Sequence, residues 1–382
     1  MNKKEISEIK KTLSLERNSI GNICGCYVDG EKNIKFTSVE NFQTLPDEDA
    51  YKYCEIFKKA LSGGINKTLI NLDFPTESEF AGGTQEFLMK LRESKLKDKN
   101  ILQDFYQKII DNYEYAGNYY IIIFNAIYDI PGKTSDDIAM NDASDEVYDH
   151  IMCCICPVDL SKPGLGYNEQ TNHMEERIRD WIVGLPTNAF LFPAFNDRCA
   201  DVHSVLYYAK NTKNMSAHLI ENVLGTPLPV TADNQKILFD NLLTEVMGDE
   251  ITFNNIKFVN EAIVQKIEEE KENNGGSEIN LSKTDIENII NQSDLSEEKK
   301  KNFHNAYKAV VGELEENNTL NGFYAESVTD PQKLTIETAK SVIRVKGNYS
   351  DSVQTKVIDG KKYLLIEAED FIKINGIAGK FL

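Results

Sequence analysis

The chain is short of cysteine, of net positive charge and of any long apolar run. Seven cysteines in 382 residues are too few for a disulfide framework, and their odd number, with Cys153, Cys154 and Cys156 clustered, suits a reducing compartment. With 42 Lys and Arg against 61 Asp and Glu, the formal charge is -19, so the surface offers no general counterion-release grip on nucleic acid or on an anionic membrane. The N-terminal stretch MNKKEISEIKK is charged, and no apolar segment behind it is long enough for a signal peptide or a membrane span. These absences point to a cytoplasmic protein with no membrane partner. No internal repeat is present either.

What is there reads as ordinary globular material: 41% apolar, 9% aromatic and 27% charged residues. At this length two or three domains are expected. Ile6, Ile9 and Leu13 predict a short amphipathic helix over residues 2–15, and Asp29-Gly30 predicts a tight hairpin turn between strands at 23–28 and 34–36. Pro46-Asp47 opens a helix carrying Tyr53, Cys54, Phe57 and Leu61 on one face. Thr84, as N-cap, opens another, and Leu102, Phe105, Tyr106, Ile109 and Ile110 form the strongest helical stripe of the N-terminal half.

From Tyr119 the pattern turns to strands. Residues 119–128 form a β-branched and aromatic run that Pro131-Gly132 is expected to end, followed by strands at 147–158, 179–183, 190–195 and 202–208, with Pro163-Gly164 as a break. Connections this short argue for an antiparallel meander. Helices return at 216–224, 233–247 and 254–269. The acidic, glycine-bearing run EEEKENNGGSE at 268–278 reads as a flexible linker. Beyond it, Thr284 with Glu287 and then Ser296 predict two helix starts, and Asp359-Gly360 predicts a hairpin between strands at 355–358 and 361–366. The expected organisation is α+β: a main domain over 1–267 with a central antiparallel sheet at about 119–208 flanked by helices, and a smaller C-terminal helix-plus-hairpin module over 279–382.

Several motifs tempt a functional reading. Ile130-Pro131-Gly132-Lys133-Thr134 resembles the end of a phosphate loop, but Ile127 stands where its first glycine belongs and acidic residues follow. Gly82-Gly83-Thr84-Gln85 resembles the Gly-Gly-Gln tip of peptide-release factors, with a threonine inserted; a glycine pair before a capped helix explains the same letters. Cys153 and Cys156 form a C-x-x-C without a second ligand pair at zinc spacing, and strand alternation puts Cys154 and Cys156 on one face, with Cys153 and Ile155 on the other, as small buried hydrophobes. The acidic residues Asp136, Asp137, Asp142, Asp145, Glu146 and Asp149 beside His150 lack the regular Asp-x-Asp-x-Asp-Gly loop of a calcium site and read as a solvated acidic loop.

The constellation that stands out is Asn196-Asp197-Arg198 with Asp201 and His203. A carboxylate, a guanidinium fork and an imidazole within eight residues at a strand edge can grip an anion or exchange protons; the plainer alternative is an Asp-Arg salt bridge tying a turn. Asp197, Arg198 and His203 are therefore the catalytic candidates, with Asn196 and a facing Lys133 as ligand-binding candidates. No metal site and no cofactor is assigned.

The segments CGCYVDGEKN (24–33), AGGTQEFL (81–88), YDIPGKTSDD (128–137), CPVDLSKPGLGYN (156–168) and FLFPAFNDRCADVHSVLYY (190–208) together resemble a bacterial domain-of-unknown-function family over nearly the whole chain. The resemblance implies a bacterial cytosolic protein and assigns no activity. The function expected from acidic surface, incomplete catalytic motifs and an accessory module is that of a non-catalytic regulator or scaffold with a protein partner. A hydrolytic enzyme using residues 197–203 is the first alternative. A translation- or RNA-associated factor, needing clustered Lys and Arg on one face, is the second.

Overall fold

The structure of the protein, a computed structural model, describes residues 1–17, 19–133, 139–212, 215–274, 279–317, 319–320, 322–346, 352–367, 371–374 and 377–380, without the side chains at 77, 133, 139–145, 271–274, 346, 371–374 and 377–380. It is α+β, and it divides into two compact units, Met1–Thr231 and Ala232–Leu382.

The first unit opens with α1 (Lys3–Thr12), β1 (Ile20–Val28), β2 (Ile34–Asn41), α2 (Asp47–Ala60), β3 (Leu69–Asp73), α3 (Thr84–Glu93) and α4 (Lys99–Asn112). Then come β4 (Asn118–Lys133), β5 (Ala139–Leu160), β6 (Leu165–Asn168), β7 (His173–Glu176), β8 (Trp181–Val183), β9 (Asn188–Phe192), β10 (Ala194–Asn196), β11 (Cys199–Asp201) and β12 (Ser204–Ala209). The large sheet has the order β2-β1-β4-β5-β9-β12-β3, every pair antiparallel, with β8 also on β5. It is wider than the expected 119–208 meander: β1 inserts its hairpin beside β4, and β3, from between two helices, closes the far edge on β12.

Both sheet faces are covered, which is why β4 reads as an unbroken apolar run instead of an alternating one. Ile122 and Phe124 face α1 and α2, with Ile9, Phe57 and Met152, and the Phe57 and Phe124 rings lie 4.3 Å apart. Ile121 and Ile123 face α3, α4 and the π-helical turn Leu219–Leu224, with Leu88, Phe105 and Ile109. The cysteines follow the same alternation: Cys153 belongs to the second core, Cys154 and Cys156 to the first. A C-x-x-C split across the sheet in this way cannot chelate one ion through both thiols. Burial also drives the thiols away from reactivity, raising Cys24 and Cys26 to about 12.

Local details depart from expectation at several turns. The β1–β2 loop spans Asp29–Asn33, its positive φ falls on Lys32, and the Asp29 carboxylate accepts from the Glu31 and Asn33 amides, so Gly30 is not the turning residue. Pro131-Gly132 does not end β4; it is accommodated by register shifts, and pairing resumes through Lys133. The N-cap of α3 is Gly83, one residue before Thr84.

The second unit contains α5 (Ala232–Met247), α6 (Phe253–Asn274), β13 (Asn280–Leu281), α7 (Lys283–Gln292), α8 (Glu297–Glu316), β14 (Phe323–Tyr324) and α9 (Ala325–Val328). Three hairpins follow: β15 (Lys333–Thr338) with β16 (Ser341–Lys346), β17 (Val353–Ile358) with β18 (Lys361–Ile366), and β19 (Phe371–Ile374) with β20 (Ile377–Lys380). The division at 231/232 precedes the expected boundary at 267, because α5 and α6 pack with α7, α8 and α9. Residues 268–274 of the expected linker are helical, and residues 275–278 lie outside the described residues. The capping box of α7 is Ser282 with Asp285. Asp359 and Gly360 both take positive φ, as a two-residue hairpin requires.

Candidate functional site

The polar corner is a tight hairpin. β10 and β11 pair from Asn196 to Cys199, which leaves Asp197 and Arg198 at φ 52 and 58 as the two turning residues. Arg198 reaches back to α1, its Nε 3.2 Å from Glu8 Oε2 and its Nη2 3.0 Å from Glu8 Oε1, and Nη2 also donates to the Pro131 carbonyl at 3.0 Å. Tyr128 Oη donates to the same Glu8 at 2.9 Å. Asn196 Nδ2 donates to Asp201 Oδ2 at 2.6 Å, and its Oδ1 accepts from the N-terminal ammonium of Met1. Burial pushes the Asp201 carboxyl up, yet hydrogen bonds from Asn196, Ser204 and the His203 amide outweigh it and hold the group below its ordinary value.

His203 faces elsewhere. Its Nδ1 sits 2.6 Å from Glu79 Oε1, on the turn that follows β3, and this carboxylate partner raises the imidazole pKa. The ring is mostly in solvent. The corner thus joins Asn196 to Asp201 and Arg198 to Glu8, while the His203 ring is tied to a third element and Asp197 is an exposed turn residue. Lys133 pairs through its backbone with Ala139 and its side chain lies outside the description. The ties carried by Arg198 and Asn196 fasten the β10–β11 hairpin to α1 and to the chain's first residue.

The other motifs resolve into structure. Gln85 Nε2 donates to the Val202 carbonyl at 2.8 Å, so the glutamine of Gly82-Gly83-Thr84-Gln85 clamps α3 to the chain before β12. Thr134 of the Gly-Lys-Thr motif and, of the acidic run, Asp136 and Asp137 lie outside the described residues, as do the Asp142 and Asp145 side chains; Asp149 is ion-paired with Lys95, and His150 is fully buried. The His150 ring stacks on Tyr148 at 4.3 Å and meets Phe124 edge-on. Its Nδ1 lies 3.4 Å from the Tyr148 carbonyl, and its Nε2 has no hydrogen-bond partner among the described residues. Burial lowers its pKa to about 4, so the ring is a neutral core aromatic near pH 7.

Open grooves are present among the described residues. One of about 470 Å³ runs along α2, lined by Tyr51, Cys54, Lys58, Lys59 and Leu185. Another, in the second unit, has a volume of about 420 Å³ and an apolar floor of Phe253, Ile256, Val328, Leu334 and Ile336. Its rim lysines Lys236 and Lys333 are held by Asp240 and Asp330 at 2.8 and 2.9 Å.

The feature hidden from sequence reasoning lies between β5 and β9. Pro163-Gly164 does not break the pairing: Val158 to Leu160 pair β8, Ser161 N donates to Asp180 O, Arg177 N donates to Gly164 O, and Leu165 to Asn168 pair β7. The result is one two-stranded ribbon from Val158 to Val183 in a single register. At about 3.3 Å per residue it is about 35 Å long. Every residue from Glu169 to Val183 is exposed. Nine large apolar side chains between Leu160 and Leu185 are uncovered, including Trp181, the chain's one tryptophan. Among the described residues, β6 and β7 pair only each other and β8 pairs only β5. The signal available in sequence was Leu165, Tyr167, Met174 and Ile178 recurring on either side of the turn-forming stretch Glu169-Gln170-Thr171-Asn172.

Among the described residues no helix is long and apolar enough to cross a membrane. No curated protein sequence matches the chain. A family model described as "Domain of unknown function (DUF4317)" matches residues 1–377. The chain belongs to that family.

Proposed function

We propose that the protein is a non-catalytic regulator or scaffold of the bacterial cytoplasm that works by binding another protein, and that the ribbon 158–183 is its docking element. The observation carrying this reading is the set of eight exposed large apolar side chains on this ribbon. An isolated two-stranded ribbon is marginal in water, and contiguous exposed apolar patches of this size mark interaction surfaces. The net charge of -19 argues against nucleic acid as the partner. The hydrolytic reading is weaker, since Arg198 and His203 are each held by a carboxylate on a different element.

Affinity purification from the native cell tests this, using the full chain and the double variant Leu165→Glu/Met174→Glu. The expected result is a reproducible protein partner retained by the parent chain and lost by the variant. An identical set of retained proteins for both would remove the ribbon from the account.

A further inference from the structure

The groove along α2 gathers positive charge in a chain that carries a large excess of acid. α1 ends on Lys10 and Lys11, and α2 ends on Lys58 and Lys59. Lys58, Lys59 and Ser62 line the groove, and Lys10 Nζ donates to Ser62 Oγ at 2.6 Å, which brings the cation of α1 to the same end of it. An ammonium has three donors, so this contact leaves Lys10 two more. Lys10, Lys58 and Lys59 are all half-buried. Half-buried lysines elsewhere in the chain find carboxylates: Lys95 meets Asp149, Lys257 meets Glu261 and Lys266 meets Asp285. Among the described residues, Lys10, Lys58 and Lys59 meet none. Glu55 is the one acidic residue lining the groove, and Lys52 already holds it at 2.9 Å.

Lysines in a last turn also answer the partial negative charge of the helix C-terminus, about half an elementary charge per helix. The ends of α1 and α2 therefore account for about one of the three positive charges. About two remain, equal and opposite to the charge of a phosphate monoester at neutral pH. The other end of the groove is suited to an apolar group, with Tyr51 and Leu185 51% and 49% exposed and Cys54 buried beneath. Its volume of about 470 Å³ is that of a small-molecule site. We propose that this groove binds a small phosphorylated organic molecule, its phosphate held by Lys10, Lys58 and Lys59 beside Ser62 and its aromatic or apolar part laid against Tyr51 and Leu185. The lysines act as point charges on the phosphate oxygens, the role for which a compact ammonium is fitted. None of these residues belongs to the ribbon Val158–Val183, and the site does not rest on the ribbon's docking role.

Isothermal titration calorimetry of the full chain in Tris buffer tests this, with phenyl phosphate, inorganic phosphate and benzyl alcohol as probes. The expected result is saturable binding of one phenyl phosphate with a dissociation constant below about 1 mM. Inorganic phosphate should bind at least ~10-fold more weakly for want of the ring, and benzyl alcohol should not bind. In Lys58→Gln/Lys59→Gln the dissociation constant for phenyl phosphate should rise at least ~10-fold. The control Lys90→Gln/Lys236→Gln, which removes the same charge from lysines paired with Glu86 and Asp240, should bind like the parent. Phenyl phosphate that fails to saturate below about 1 mM overturns the proposal. So does a Lys58→Gln/Lys59→Gln chain that binds like the parent, or a control that loses as much as that variant. Inorganic phosphate bound as tightly as phenyl phosphate overturns the assignment of an organic phosphate. If Lys58→Gln/Lys59→Gln loses the parent circular dichroism, Ser62→Asp decides, since it keeps all three lysines and sets a carboxylate among them: the folded variant should no longer bind, and retained binding overturns the site.

Discussion

Strand β5 passes through two environments within one element. From Tyr148 to Cys156 its residues are buried with one half-buried exception, Asp149, because α1 and α2 lie on one face and α3 and α4 on the other. From Asp159 the same strand leaves β4 and β9, takes β8 as its antiparallel partner and becomes exposed. The inner half is paired on both edges, with β4 and β9, and the outer half with β8 alone among the described residues. The second layer differs too, and it is the second layer that turns apolar side chains into stability. The inner half is therefore the fold's foundation, and the outer half is a surface whose apolar residues stand exposed.

The contrast breaks most sharply at its buried end. Phe124→Ala removes a fully buried ring packed 4.3 Å from Phe57, and urea unfolding of the full chain is expected to show a loss of about 3–5 kcal/mol. A loss below about 1 kcal/mol would mean the two-sided core is not what holds the sheet.

Next in size is the pH response of the same core. Burial holds His150 at about 4, below its ordinary 6.5, so the unfolded chain takes up a proton first as pH falls. Stability is full above about pH 6.5 and drains away toward pH 4, by at most about 1.4 kcal/mol per unit. The variant His150→Phe should flatten that part of the stability profile relative to the parent; parallel profiles would place a charged imidazole in the core and contradict the packing.

The polar corner lies between the two extremes. Arg198→Ala frees Glu8 and the Pro131 carbonyl from a forked contact, both side chains being about a quarter exposed. It should cost about 1 kcal/mol through loss of the tie between α1 and the β10–β11 hairpin. Arg198→Lys recovering less than half of it would identify the fork, as opposed to the charge, as the useful feature.

The smallest effect belongs to the ribbon. Leu165→Ala should change stability by less than about 0.5 kcal/mol, since the side chain is mostly exposed. A larger loss would show the side chain is already covered within one chain.

Residue pattern was enough for the elements whose burial is set by near neighbours. The run at 119–128, the stripe from Leu102 to Ile110, the split of Cys153 from Cys154 and Cys156, and the Asp359-Gly360 hairpin all follow from period and turn chemistry. Long-range pairings carry no such mark: nothing local to Leu69–Asp73 says it closes the sheet on β12, and nothing in Cys24 or Cys26 says β1 lies against β4. Pro163-Gly164 misled for a physical reason. A proline and a glycine interrupt regular strand conformation, yet hydrogen bonds at Ser161 and Arg177 carry the register across the gap. The corner at Asn196–His203 was visible as an unusual grouping, but which carboxylate each cation meets, Glu8 or Glu79, depends on elements more than a hundred residues away.

Amide hydrogen exchange across the ribbon tests the central claim most directly. Measured on the full chain, the amides of 165–168 and 173–176 should exchange rapidly while those of 119–126 stay protected. Ribbon amides protected as strongly as those of 119–126 would contradict the account.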